Sequence, residues 1–117
     1  MALDVRAKRI YDPPLDSDGY RVLIDHIWPR GMSHERAQLD EWTRELAPSD
    51  GLRTWFDHRP ERFEEFRRRY RKELSSQSDR LDELRRRAAT EPVTILYAAR
   101  DRDHNNAVVI TELLRGS

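Results

Sequence analysis

The feature that most limits this chain is a stripe between residues 63 and 88. Phe63, Phe66, Tyr70, Leu74, Leu81, Leu84 and Ala88 recur at intervals that share one helical face. Phe63 and Leu81 lie five whole turns apart at about 3.6 residues per turn. The remaining positions are mostly Arg, Glu and Asp. A helix with one long apolar face must lay it on another layer, so the rest of the chain has to supply one. "SSQS" at 75–78 is the weak point, and Ser78 could cap a second helix there. The unbroken phase of the stripe favours one long helix.

The layer that this helix needs is readable as strands. "LDVRAKRIY" at 3–11 alternates Leu3, Val5 and Ala7 before Ile10 and Tyr11, the period of a strand. "DPPLDSDG" follows as a loop rich in turn formers. Tyr20 to Trp28 reads as a second strand, whose continuous Val22-Leu23-Ile24 core suits burial on both faces. Pro29 cannot donate to a ladder, so the strand is expected to end at Trp28. Ser33 is placed to cap a helix through Leu39, Trp42 and Leu46, stopped by Pro48. Ser49 can cap a short helix with Leu52, Trp55 and Phe56, ending near Asp57-His58, and Pro60 suits a first turn. Pro92 ends the long helix, and "VTILYAA" at 93–99 is a β-branched strand. The last helix turns Ala107, Val108, Ile110, Leu113 and Leu114 inward and is closed by Gly116. Strands separated by helices imply an α/β fold: a small, at least partly parallel sheet covered by helices, with one long central amphipathic helix. The expected organisation is a single domain over residues 1–117.

Composition narrows the function classes. The chain carries 22 basic and 22 acidic residues, a formal net charge of zero. Binding to nucleic acid through an overall field is therefore disfavoured. On the long helix, Glu64–Arg68, Glu65–Arg69, Asp82–Arg86 and Glu83–Arg87 are acid-first i,i+4 pairs that answer most of the charge. Arg67, Arg71, Lys72 and Arg85 remain as a surplus on which a nucleic-acid alternative would rest. There is no cysteine, which excludes disulfides and thiolate chemistry. No apolar run approaches a membrane span and no signal peptide opens the chain, so a cytoplasmic protein is expected. No glycine-rich phosphate loop or nucleophile elbow is present, and no cofactor is implied. The four histidines, at 26, 34, 58 and 104, lack zinc spacing, and no metal site is expected.

Two stretches carry candidate chemistry. In "VLIDHIWPRG", Asp25 sits in a strand that should be covered, and it needs a partner, most simply an arginine. In "AARDRDHNN", Arg100, Asp101, Asp103, His104 and Asn105 fall between a strand end and a helix start, where parallel sheets collect ligands. Asp103 is a candidate cap for that helix, which would put His104 and Asn105 in its first turn.

These stretches, with "RIYDPP", "LDEWTRELAPS" and "LRTWFDHRPERFEEFRRRY", resemble the DUF488 family in its YeaO-like branch, in order over nearly the whole chain. The resemblance implies a compact α/β domain and brings no established activity. Matching positions are Tyr11, Asp12, Asp25, Trp28-Pro29-Arg30-Gly31, Trp42, Trp55, His58, Pro60, Tyr97, Asp101, His104 and Asn105. The family usually has arginine at the position of His26 and aspartate at that of Arg59. Together these readings lead to a pocket for a small anionic ligand, phosphate- or carboxylate-bearing, at the strand C-terminal ends. Arg30, Tyr97, Asp101, Asn105 and Tyr11 would line it. His58, His104 and Asp25 are the candidates should chemistry occur, although no reaction is named by the sequence. A non-catalytic interaction module is the remaining alternative, as monomer or homodimer.

Overall fold

The computed structural model describes residues 3–116. Four strands, β1 (Val5–Arg9), β2 (Tyr20–Leu23), β3 (Glu41–Trp42) and β4 (Val93–Tyr97), form one sheet in the order β1-β4-β2-β3. Every pairing is parallel. β4 is central, with Ile95 opposite Ala7 on one side and Val22 on the other. All five of its residues are buried, which is why it reads as an uninterrupted apolar run.

Alternation along the strands sorts side chains onto two unlike faces. Val5, Val22, Val93, Ile95 and Tyr97 join the larger core beneath the helices. Those helices are α2 (Asp50–Phe56), α3 (Phe63–Leu74), α4 (Ser78–Ala88) and α5 (Asn106–Leu114). The stripe of the long helix is buried throughout. Its helical path runs unbroken from Pro60 to Ala88 but tightens into a 3-10 turn at Ser75–Gln77, the weak point in "SSQS". On the second face Ile10, Leu23 and Leu96 pack under Met32 and Ala37, from the segment around α1 (His34–Ala37).

Gly19 leads into β2 with φ +65°, and the N–H of the next residue, Tyr20, donates to Pro92 O at 2.8 Å. A Cβ on Gly19 would meet that carbonyl oxygen at 2.2 Å, so only glycine fits. The β1 edge is also occupied. The Arg115 guanidinium donates to Val5 O and Asp12 N donates to Arg9 O, so two carbonyls of this edge are taken.

Three expectations need correction. β2 ends at Leu23, not Trp28: Ile24 N still reaches Leu96 O, and Asp25 then turns away to bond Ala98 and Asn106. The helix capped by Ser33 stops at Ala37, where Gln38 takes a left-handed conformation. Leu39 and Trp42 pack on the second face whereas Leu46 enters the first core, and no single helix could do both. Glu41 and Trp42 instead extend the sheet as β3. The last helix is capped by Asn105, whose Oδ1 accepts from Val108 N, and not by Asp103. Val109 is buried there, and Val108 and Leu113 are only partly so.

Candidate functional site

A pocket opens at the C-terminal ends of the strands, where the β2 and β4 exits meet the start of α5 and the end of α2. In a parallel sheet this is the end at which chain exits diverge and leave a crevice. Among the residues lining it are Tyr11 after β1, Asp25 to Arg30 after β2, Ala98 and Ala99 after β4, and Asn105 and Asn106. Arg53, Phe56, His58 and Phe66 complete the opposite wall.

Asp25 is the keystone of this end. One carboxylate oxygen accepts from Ala98 N at 2.9 Å and the other from Asn106 Nδ2 at 3.0 Å. Its own carbonyl accepts from Trp42 Nε1 at 2.7 Å. One residue thus ties the β2 exit to β4, α5 and β3. Among the described residues the expected arginine makes no hydrogen bond or ion pair with it: amide donors serve instead, and Arg53 acts on it only through its charge. Burial raises its pKa, and the bonds from Asn106 and Ala98 offset only part of that.

The basic groups are held differently. Tyr11 donates from its hydroxyl to Arg30 O at 2.7 Å, fixing the Arg30 backbone while its side chain projects into solvent. Trp28 anchors the same corner by stacking on His34 at 4.1 Å and donating to Met32 O. His58 follows Asp57 with φ of 53° and 48°, two successive non-glycine residues in left-handed backbone. That conformation ends α2 and sets the His58 ring at the rim. Arg53 pairs with Asp50, yet its buried Nε has no acceptor among the described residues.

Of the site residues expected from sequence, Asp25, Arg30, His58, Asn105 and Tyr11 line the pocket, as does His26. Tyr97, Asp101 and His104 do not. Tyr97 is buried in the larger core, where desolvation raises its pKa. Asp101 accepts from Asp103 N and His104 N, and those bonds, with that of the His104 ring at 2.9 Å, hold its pKa low. His104 packs edge-on against Phe63. This pair shapes the loop before α5, and Asn105 is spent on capping that helix and on Asp101 O. Arg59 pairs with Asp57 and does not join His26 in the pocket.

Arg53 and Asn106 line the pocket without having been singled out. Asn106 adjoins a recognised motif, whereas Arg53 was one of 20 arginines and had no local signal. The surplus on the long helix is also smaller than its spacing suggests. Arg67 pairs with Glu64 and Glu112, Arg71 approaches Glu112 at 3.7 Å, and Arg85 pairs with Asp82. Only Lys72 of that set lacks an ion-pair partner among the described residues. Most pairs close at i,i+3, with Glu65–Arg69 the expected i,i+4 pair that forms. Among the described residues, no group of three or more His, Cys, Asp or Glu could hold a metal ion, and no helix is long and apolar enough to cross a membrane.

The family model described as "Inactive DUF488-N3 subclade" matches residues 4–117. Uncharacterized protein YeaO of Escherichia coli is 38% identical over 113 residues, covering 97% of this chain and 98% of its own. Uncharacterized proteins Rv3073c of Mycobacterium tuberculosis and Mb3100c of Mycobacterium bovis are each 41% identical over 112 residues, covering 96% of this chain and 94% of their own. No solved structure gives a significant match.

Proposed function

Because the chain belongs to the DUF488 family, in its inactive N3 subclade, we propose that it binds a small phosphate- or carboxylate-bearing ligand without turning it over. One observation carries the reading. Among the described residues lining the pocket, Asp25 is the sole acid, against His26, Arg30, Arg53 and His58. Both oxygens of that acid are already taken by amide donors. Arg30, His26 and His58 have no ion-pair partner among the described residues, which leaves donors for an incoming anion.

The use of the titratable groups supports binding without turnover. A general base needs a free lone pair aimed at the substrate. Each Asp25 oxygen already accepts an amide hydrogen bond that ties the fold together. Among the described residues no hydrogen bond orients the His58 ring, which packs near Phe56, and the hydrogen-bonded histidine, His104, lies outside the pocket. The word "inactive" in the subclade's description supports the same conclusion.

The test is a thermal-shift screen of small phosphorylated and carboxylated compounds on the wild type and Arg30→Ala. A ligand at about 100 times its Kd stabilises by about 2.7 kcal/mol. Stabilisation by at least one anion, lost in the variant, is the expected result. A screen in which no anion shifts the wild type contradicts the proposal.

A further inference from the structure

The pocket has a polarity gradient. Its exposed rim carries Arg30, His26 and His58, whereas Phe56 and Phe66 in its wall are buried and stacked at 4.3 Å. A bare inorganic anion would meet the rim and leave uncovered the apolar mouth made by exposed Ile27 and half-buried Trp28, Ala98 and Ala99.

Ile27 supplies a second, independent observation. It is 67% exposed, one of two large apolar side chains left so open among the described residues, and it lines the mouth of this pocket. The other, Leu15 at 59%, does not line this pocket. Among the described residues neither His26 nor Ile27 has a hydrogen-bond partner, so the tip of the loop after β2 is held only by its ends. Those ends are fixed, by Asp25 on one side and by Trp28 and Tyr11 on the other. A short segment anchored at both sides and free at an apolar tip can fold over an apolar group while its neighbouring cations hold an anion.

Building on the anion site proposed above, we infer that the ligand is an anion with an apolar, ring-sized body. The body lies in the pocket mouth beneath Ile27, beside Ala98 and Ala99, and the charged group stays at the rim with Arg30. Affinity then has two separable parts: a charge part that depends on Arg30, and an area part that depends on covering the ring and Ile27.

Isothermal titration of the wild type, Ile27→Ser and Arg30→Ala with inorganic phosphate, phenyl phosphate and benzyl alcohol separates them. Both substituted side chains are solvent-exposed, and far-ultraviolet circular dichroism checks that the variants are folded. Phenyl phosphate is expected to bind the wild type about tenfold or more tightly than phosphate. Ile27→Ser should narrow that gap, and Arg30→Ala should weaken both anions. Equal affinity for the two anions overturns this inference and leaves the anion site standing. A gap unchanged in Ile27→Ser overturns the role of the loop tip. Benzyl alcohol binding as tightly as phenyl phosphate, or neither anion binding, overturns the anion site and this inference together.

Discussion

The two ends of β2 each carry an aspartate, and the two are treated in opposite ways. At the entry, Asp18 is buried and met by full charges: Arg21 Nη1 at 2.6 Å and Lys8 Nζ at 2.9 Å, with Leu15 N as a further donor. Burial pushes its pKa up, but the bonds from Leu15, Lys8 and Arg21 outweigh it and hold the acid below its usual range. The rest of the Arg21 fork is answered by Ala37 O and Gln38 O. At the exit, Asp25 accepts hydrogen bonds from amides only and its pKa is raised; among the described residues Arg30, His26 and His58 beside it have no ion-pair partner, while Arg53 pairs with Asp50. One end is electrostatically closed and belongs to the fold. The other sets Arg30, His26 and His58 beside an open pocket, where the proposed anion site lies.

The sharpest way to break this contrast is Asp18→Ala. It would leave Arg21 and Lys8 facing each other without their shared acid, one of them buried, and should cost about 3–5 kcal/mol in a urea melt. A loss below about 1 kcal/mol would show that the entry cluster does not hold the fold.

A smaller effect separates the aspartates by pH. Asp18 has a lowered pKa, so its contribution is full above the ordinary value of 3.8 and is lost as pH falls through its folded-state value. Asp25 has a raised pKa, so its contribution declines as pH rises from 3.8 through its folded-state value, then levels. Asp25→Asn removes that decline while retaining an acceptor for Ala98 N. Its stability relative to wild type should therefore improve steadily across that rise, within about 1 kcal/mol overall. Melts taken as a pH series read this directly, and an opposite slope would mean that the carboxylate is stabilised by charge after all.

The smallest expected change is at the rim. Asp57→Gly relieves a left-handed aspartate at an exposed position and should stabilise the protein by up to about 1 kcal/mol. Unchanged or lowered stability would indicate that the aspartate's pairing with Arg59 compensates for the strain.

Much of this architecture was readable wherever one local rule acted alone. The stripe from Phe63 to Ala88, the Ser33 and Ser49 caps and the β-branched run at 93–97 each follow from side-chain period or capping chemistry. Reading failed where tertiary placement overrode the period. Leu39, Trp42 and Leu46 have helical spacing, but the chain passes the sheet edge between them, so they bury on different faces. The site was half legible for a related reason. Position at a strand exit identified Asp25, Arg30 and Asn105, and the family resemblance added His58 and Tyr11. Neither could reveal that Tyr97 faces the core, that Asp101 and His104 turn toward each other, or that Arg53 reaches the pocket from α2. Those outcomes depend on which side chains the folded backbone brings together.

The most direct measurement compares the two ends in one experiment: amide chemical-shift changes on adding inorganic phosphate to the labelled protein. The account predicts changes confined to the exit end, around Arg30, His58 and Ala99, with Lys8, Asp18 and Arg21 unmoved. Shifts centred on Lys8 and Arg21, or none at either end, would contradict it.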